Sequence, residues 1–163
     1  MPTRSRRQPE LLADLLVIGY GNTLRRDDGV GPHVVEAVEE LHLPRVWTLS
    51  LPQLSPEHGE CLARVREAIF VDASIDTSVD APGEVHLRPL EPAATARVTA
   101  HAVSAATLLA IARDIFGRAP RAWILTIPAS DFGFGEELSP ATTAAAEVAA
   151  ASIIDFARGS KTH

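Results

Sequence analysis

Three polar residues at the ends of apolar segments carry the chemistry this chain offers. Asp28 belongs to the pair Asp27-Asp28, between an apolar run that ends in glycine and the start of a helical pattern. One acid there is accounted for by capping, because a helix N-terminus stabilises negative charge. A second adjacent acid adds repulsion, which asks for a cation or a catalytic use for one of the two. Asp72 closes the apolar stretch IFVDAS (Ile69 to Ser74), at the tip of an expected strand, where an α/β sheet opens its ligand crevice; an Asx-turn or a cap is the competing use. His101 opens a long amphipathic segment. Near a helix N-terminus the imidazolium is disfavoured and the neutral, metal-binding ring is favoured, while a surface or capping histidine is the plainer alternative. Together two carboxylates and one imidazole make a hard, oxygen-rich ligand set with open positions. Such a set suits a divalent transition ion that also carries water or substrate.

The elements that must position these residues follow from the hydrophobic pattern. LLVIGYG (Leu15 to Gly21) is continuously apolar, as a strand buried on both faces is. Val30, Val34, Val35, Val38 and Leu41 then fall on one helical face, with Pro32 tolerated near the helix start. VWTLSL (Val46 to Leu51) predicts a second strand. SPEHGECLARVREA (Ser55 to Ala68) predicts a helix with Ser55 as N-cap and Pro56 at its first position. A third strand is predicted over Ile69 to Ser74. Residues 75–100 hold Gly83 and several prolines and predict an irregular excursion with an edge strand in EVHLRPL. A helix over His101 to Gly117, a strand over Ala122 to Pro128, a glycine-rich loop DFGFGEE and a last helix over Ser139 to Gly159 complete the chain. The order β-α-β-α-β-(β)-α-β-α predicts an α/β fold in three layers, with a twisted, mostly parallel sheet between helices. A flexible leader over 1–13, one domain over 14–159 and a tail over 160–163 are expected.

Composition removes several function classes. The formal net charge is −6, whereas a nucleic-acid partner needs a basic face. No apolar run is long enough to span a membrane, so no membrane partner is expected. Cys61 is the single cysteine, so no disulfide forms within the chain, and the cytoplasm is the expected compartment. A dinucleotide turn is disfavoured, because Leu24 stands where the third glycine would be and Asp27-Asp28 would repel a pyrophosphate. The chain lacks an H-E-x-x-H helix and a G-x-S-x-G elbow. His33, His42, His58, His86 and His163 have no comparable company in sequence, and Cys61 reads as core.

Four segments in order resemble the nickel–iron hydrogenase maturation proteases. They are GYGNTLRRDDGVG (Gly19 to Gly31), FVDA (Phe70 to Ala73), TAHAVS (Thr99 to Ser104) before a Leu-rich helix, and GEELSP (Gly135 to Pro140). The first is the most specific, and the match runs from about Leu15 to the last helix. The resemblance implies an endopeptidase that removes a short C-terminal extension from a hydrogenase large-subunit precursor after nickel insertion. It associates Asp28, Asp72 and His101 with metal and catalysis. The nickel is carried by the substrate, no permanent cofactor is expected, and cadmium or zinc can occupy the same ligands in crystals. A monomer is expected. Two departures stand out. Residue 28 is an aspartate where some members carry glutamate, and SLPQLSPE (Ser50 to Glu57) replaces a D-G-G-T-x-G segment.

On this reading Gly21, Asn22, Asp27, Gln53, Glu57, Gly133 and Gly135 are expected to line the substrate. Gln53 and Glu57 stand in for the missing segment, Asn22 fixes its turn, and backbone N–H groups of the turn at Gly19 to Gly21, or of Gly133 and Gly135, are expected to hold an oxyanion. Either the metal polarises the attacking water or one aspartate acts as general base. A nickel-checking chaperone without peptidase activity and a nucleotide- or sugar-phosphate-binding α/β protein are the alternative readings.

Overall fold

The structure is a computed structural model that describes residues 9–75, 84–96 and 103–159. Five strands form one sheet. They are β1 (Ala13–Tyr20), β2 (Val46–Leu51), β3 (Val65–Ser74), β4 (His86–Leu90) and β5 (Arg121–Pro128). Their order across the sheet is β2-β1-β3-β5-β4, with β4 antiparallel on one edge and the other pairs parallel. Among the described residues four α-helices accompany the sheet, α1 (Val30–Glu39), α2 (Gly59–Leu62), α3 (Ala105–Asp114) and α4 (Pro140–Gly159).

Alternation within the strands sorts the core into two layers, because successive side chains point to opposite faces. Leu16, Ile18, Ala68 and Phe70 meet Leu108, Leu109 and Ile111 of α3 on one face. Leu15, Val17, Ile69 and Val71 meet the valines of α1 and the alanines of α4 on the other. The central strands are therefore apolar on both sides, as the continuous runs in the sequence require. Small alanines along α4 (Ala145, Ala146, Ala149) bring that helix close to its layer.

The predicted second helix is shorter than its pattern. A turn of 3-10 helix over Pro56–His58 leads into α2, which ends at Leu62, and the chain is already in β3 by Val65. Pairing decides this. Val65, Glu67 and Ala68 line up with Ala13, Leu15 and Leu16 of β1, and Glu67 and Ala68 also line up with Arg121 and Ala122 of β5. Two sheet neighbours outweigh the helical preference of Arg and Glu. At the front of the chain, the Leu12 N–H donates to the Arg64 carbonyl at 2.7 Å. Leu12, in the described end of the expected leader, is thus tied to the domain just before β1. The expected tail over 160–163 lies outside the described residues.

One close approach locks α1 onto β1. A Cβ on Gly19 would lie 2.2 Å from the Gly31 carbonyl oxygen. The obstruction is backbone, which cannot rotate away, so strand and helix would have to separate. Gly19→Ala is expected to destabilise the protein by about 3 kcal/mol, read as a lowered urea midpoint. An unshifted midpoint would refute this account of the contact.

Candidate functional site

The parallel strands end together, and the residues after them form the candidate site. β1 runs out at Tyr20, and the chain turns at Gly21 with φ +147, a conformation that side chains other than glycine's rarely adopt. A Cβ at that position would stand 2.0 Å from the Asp28 carbonyl oxygen. The loop therefore folds back over its own exit. Asn22 secures it twice, with its Oδ1 accepting the Leu24 N–H at 3.0 Å and its N–H donating to Asp28 Oδ2 at 2.7 Å. The Asp28 side chain is thereby held at the end of β1.

The two adjacent acids of this loop point apart. Arg26 takes a left-handed conformation, φ +48, immediately before them. Its N–H donates to the Gly135 carbonyl at 2.8 Å, and its guanidinium pairs with Asp131 at 2.8 Å. Asp27 turns inward and is 0% exposed. Its carboxylate accepts the N–H groups of Ser130 (3.1 Å), Asp131 (2.9 Å) and Ser139 (2.7 Å), and the Ser139 hydroxyl (2.8 Å). Burial alone would raise its pKa. The hydrogen bonds from Ser139, Asp131 and Ser130 outweigh burial and lower it to about 2. Asp27 thus serves the N-terminus of α4, over a hundred residues away, and not the helix that follows it in sequence.

Asp28 remains partly exposed and lies within electrostatic reach of Asp72. The latter ends the apolar part of β3, beside Tyr20 of β1 and opposite Thr126 of β5. Its carboxyl is raised above the ordinary range, first by burial and then by the negative charge of Asp28. Hydrogen bonds from the Tyr20 hydroxyl and the Ala73 backbone act the other way. Two like charges at one strand end, one of them half-buried, form a place that a cation stabilises. His101, the third expected ligand, lies outside the described residues. The described chain resumes at Val103, and Ser104 caps α3 by accepting the Thr107 N–H at 3.1 Å.

The remaining expected site residues divide. Gly21 and Asn22 line an open groove of about 380 Å³, shared with Leu24, Pro32, Ser50 and Pro52 at the ends of β1 and β2. Gln53 is exposed just beyond β2. Glu57 is exposed and accepts the Ser55 hydroxyl at 3.0 Å. Its carboxyl is held below the ordinary range by its own backbone N–H and by that hydroxyl.

Two expectations are corrected. Asp27 presents no surface to a substrate, because it is buried and fully engaged with residues 130–139. Three of the glycine N–H groups expected to hold an oxyanion are already used. Gly21 donates to the Leu51 carbonyl (3.1 Å), Gly133 to Asp131 Oδ1 (3.0 Å) and Gly135 to the Leu24 carbonyl (2.9 Å). Of the three, Gly135 joins the loop carrying Asp28 to the loop before α4, while Gly21 ties the end of β1 to β2 and Gly133 closes a turn within its own loop. Arg25 adds to the same junction, its guanidinium standing 5.8 Å from the ring centroid of Phe134.

Sequence reasoning missed Tyr20. Its signal was position, one residue before Gly21, because the offset that pairs Gly19 with Val71 brings residue 20 beside residue 72.

No family model and no curated protein sequence matches this chain. Solved structures do. Hydrogenase maturating endopeptidase HybD from E. coli is 23% identical with a TM-score of 0.72, over 90% of this chain and 93% of that one. The [NiFe] hydrogenase maturation protease HycI from Thermococcus kodakarensis KOD1 is 23% identical with a TM-score of 0.68, again over 90% and 93%. The hydrogenase 2 maturation peptidase from Thaumarchaeota archaeon SCGC_AB-539-E09 is 24% identical with a TM-score of 0.64, over 88% and 97%. The five-stranded, mostly parallel sheet between two helical layers is the fold of the hydrogenase maturation endopeptidases.

Proposed function

We propose that this chain is an endopeptidase that removes the C-terminal extension of a nickel–iron hydrogenase large-subunit precursor once nickel has been inserted. The observation that carries this reading is the pair Asp28 and Asp72. They stand on adjacent elements at the strand ends, close enough for the charge of one to raise the pKa of the other. Such a pair costs stability unless something cationic or catalytic uses it. The fold shared with maturation endopeptidases and the four ordered segments in the sequence supply the rest of the case.

On this reading the substrate brings the cation. Nickel in the precursor meets Asp28 and Asp72, with His101 as the third ligand, and a precursor without nickel lacks the charge that offsets their repulsion. Cleavage then adds water across one peptide bond. The water oxygen joins the scissile carbonyl carbon, the C–N bond breaks, and the proton passes to the leaving amine. With the N–H groups of Gly21, Gly133 and Gly135 committed elsewhere, the developing oxyanion is stabilised by the substrate's metal or by a donor other than these three.

The test is to incubate the protein with nickel-loaded and nickel-free precursor and to measure intact masses. Loss of a C-terminal peptide from the loaded form alone is expected. Shortening of both forms would sink the metal check. Binding without shortening of either would replace the peptidase by a chaperone.

A further inference from the structure

The sequence contains one tyrosine, and the sheet sets it beside the proposed site. The register of β1 on β3 pairs Ile18 with Phe70 and Gly19 with Val71, so Tyr20 stands next to Asp72 at the carboxyl edge. Laterally adjacent residues of paired strands share a face. That face is the layer under α3, where Tyr20 is half-buried against the cluster of Ile18, Phe70 and Leu108. The ring has little freedom to swing, and its hydroxyl hydrogen-bonds the Asp72 carboxylate. Between a phenol and a carboxylate, the phenol O–H is the donor and the carboxylate oxygen the acceptor.

We infer that Tyr20 is a positioning residue, which holds the Asp72 carboxylate in one rotamer against the repulsion of Asp28 and so fixes the oxygen that faces the substrate. This rests on the peptidase reading above. The Ala73 backbone N–H is the second donor to Asp72. A carboxylate gripped on two sides keeps its remaining lone pairs aimed at one place. Without the hydroxyl, one grip is lost while Asp28 still pushes. The substrate would bind through the rest of its surface as before, but the reacting geometry would loosen, and a misplacement of about 1 Å costs on the order of 100-fold in rate.

Tyr20→Phe removes one oxygen and keeps the ring that packs against α3. Its thermal unfolding is expected to match wild type. With nickel-loaded precursor its kcat is expected to fall by about 10- to 100-fold, while KM stays within about threefold. The single tyrosine also reports on the contact directly. The tyrosine Fermi doublet in resonance Raman spectra of the intact protein is expected to change in Asp72→Asn, because the strength of the acceptor changes. Wild-type kcat in Tyr20→Phe, or equal loss in kcat and a large rise in KM, would overturn the positioning role. An unchanged doublet in Asp72→Asn would overturn the contact itself. Failure of the wild-type protein to shorten any precursor is a different result, and it overturns the peptidase reading together with the effect of Tyr20 on rate.

Discussion

Asp28→Asn and Asp72→Asn are each expected to slow precursor shortening by about 1,000-fold or more, equivalent to about 4 kcal/mol of transition-state stabilisation. Both proteins should remain folded. The asparagine is the informative choice over alanine, because it keeps an acceptor for the hydrogen bonds the carboxylate makes. At residue 28 it can still accept the Asn22 N–H, a bond of 2.7 Å in the wild type. At residue 72 it can still accept from Tyr20 and Ala73. What is lost is charge, and charge is what a cation on the substrate would recognise. His101→Ala is expected to behave alike on the strength of the resemblance.

Stability separates a functional reading of these acids from a structural one. Asp72 titrates above the ordinary carboxyl range because of burial and Asp28. A carboxyl whose folded pKa lies above its unfolded one favours the fold below the unfolded pKa. That contribution is lost as pH rises through the folded pKa. At neutral pH the ionised pair therefore works against folding. Asp72→Asn removes that cost, so its urea midpoint at pH 7 is expected to equal or exceed that of wild type while its activity is gone. This is the pattern of a site that trades stability for function. A markedly lower midpoint would mean that Asp72 is structural, and the site would have to be sought elsewhere.

How much of this was legible in the sequence depends on which kind of interaction decided each element. The buried strands were legible because a run such as Leu15 to Ile18 has few alternatives to a strand covered on both faces. So was the Asp72 position, since an acid ending such a run must sit at the strand tip. The boundary at Val65 was not. Val65 to Ala68 reads as helix locally and becomes strand through its pairing with β1 and β5, which local pattern cannot show. The roles of the two adjacent acids were not legible either. Nothing local distinguishes Asp27 from Asp28. Their division follows from the left-handed Arg26 and from a loop that arrives more than a hundred residues later.

That division makes Asp27 an anchor of the site, the common acceptor of four hydrogen bonds. Asp27→Ala would leave the Ser130, Asp131 and Ser139 N–H groups and the Ser139 hydroxyl without their common acceptor. Each buried donor left unpaired costs about 1–3 kcal/mol, and solvent entering the loop recovers part of that. A loss of about 4 kcal/mol in unfolding free energy is expected. Acid titration gives an independent check with a definite sign. The folded carboxyl sits near about 2, below its ordinary 3.8, so it stabilises the fold above pH 3.8 and that contribution is lost as pH falls toward 2. The shift corresponds to about 2 kcal/mol at neutral pH. The wild-type protein should lose stability across this window more steeply than Asp27→Asn, whose side chain does not titrate. In the same variants, precursor shortening should fall even though Asp27 touches no substrate, because Asp27 anchors residues 130–139 against the loop that carries Asp28. Asp27 variants that are fully stable would show that α4 does not need this acid. Stable variants that are also inactive would return Asp27 to the catalytic surface, against its burial.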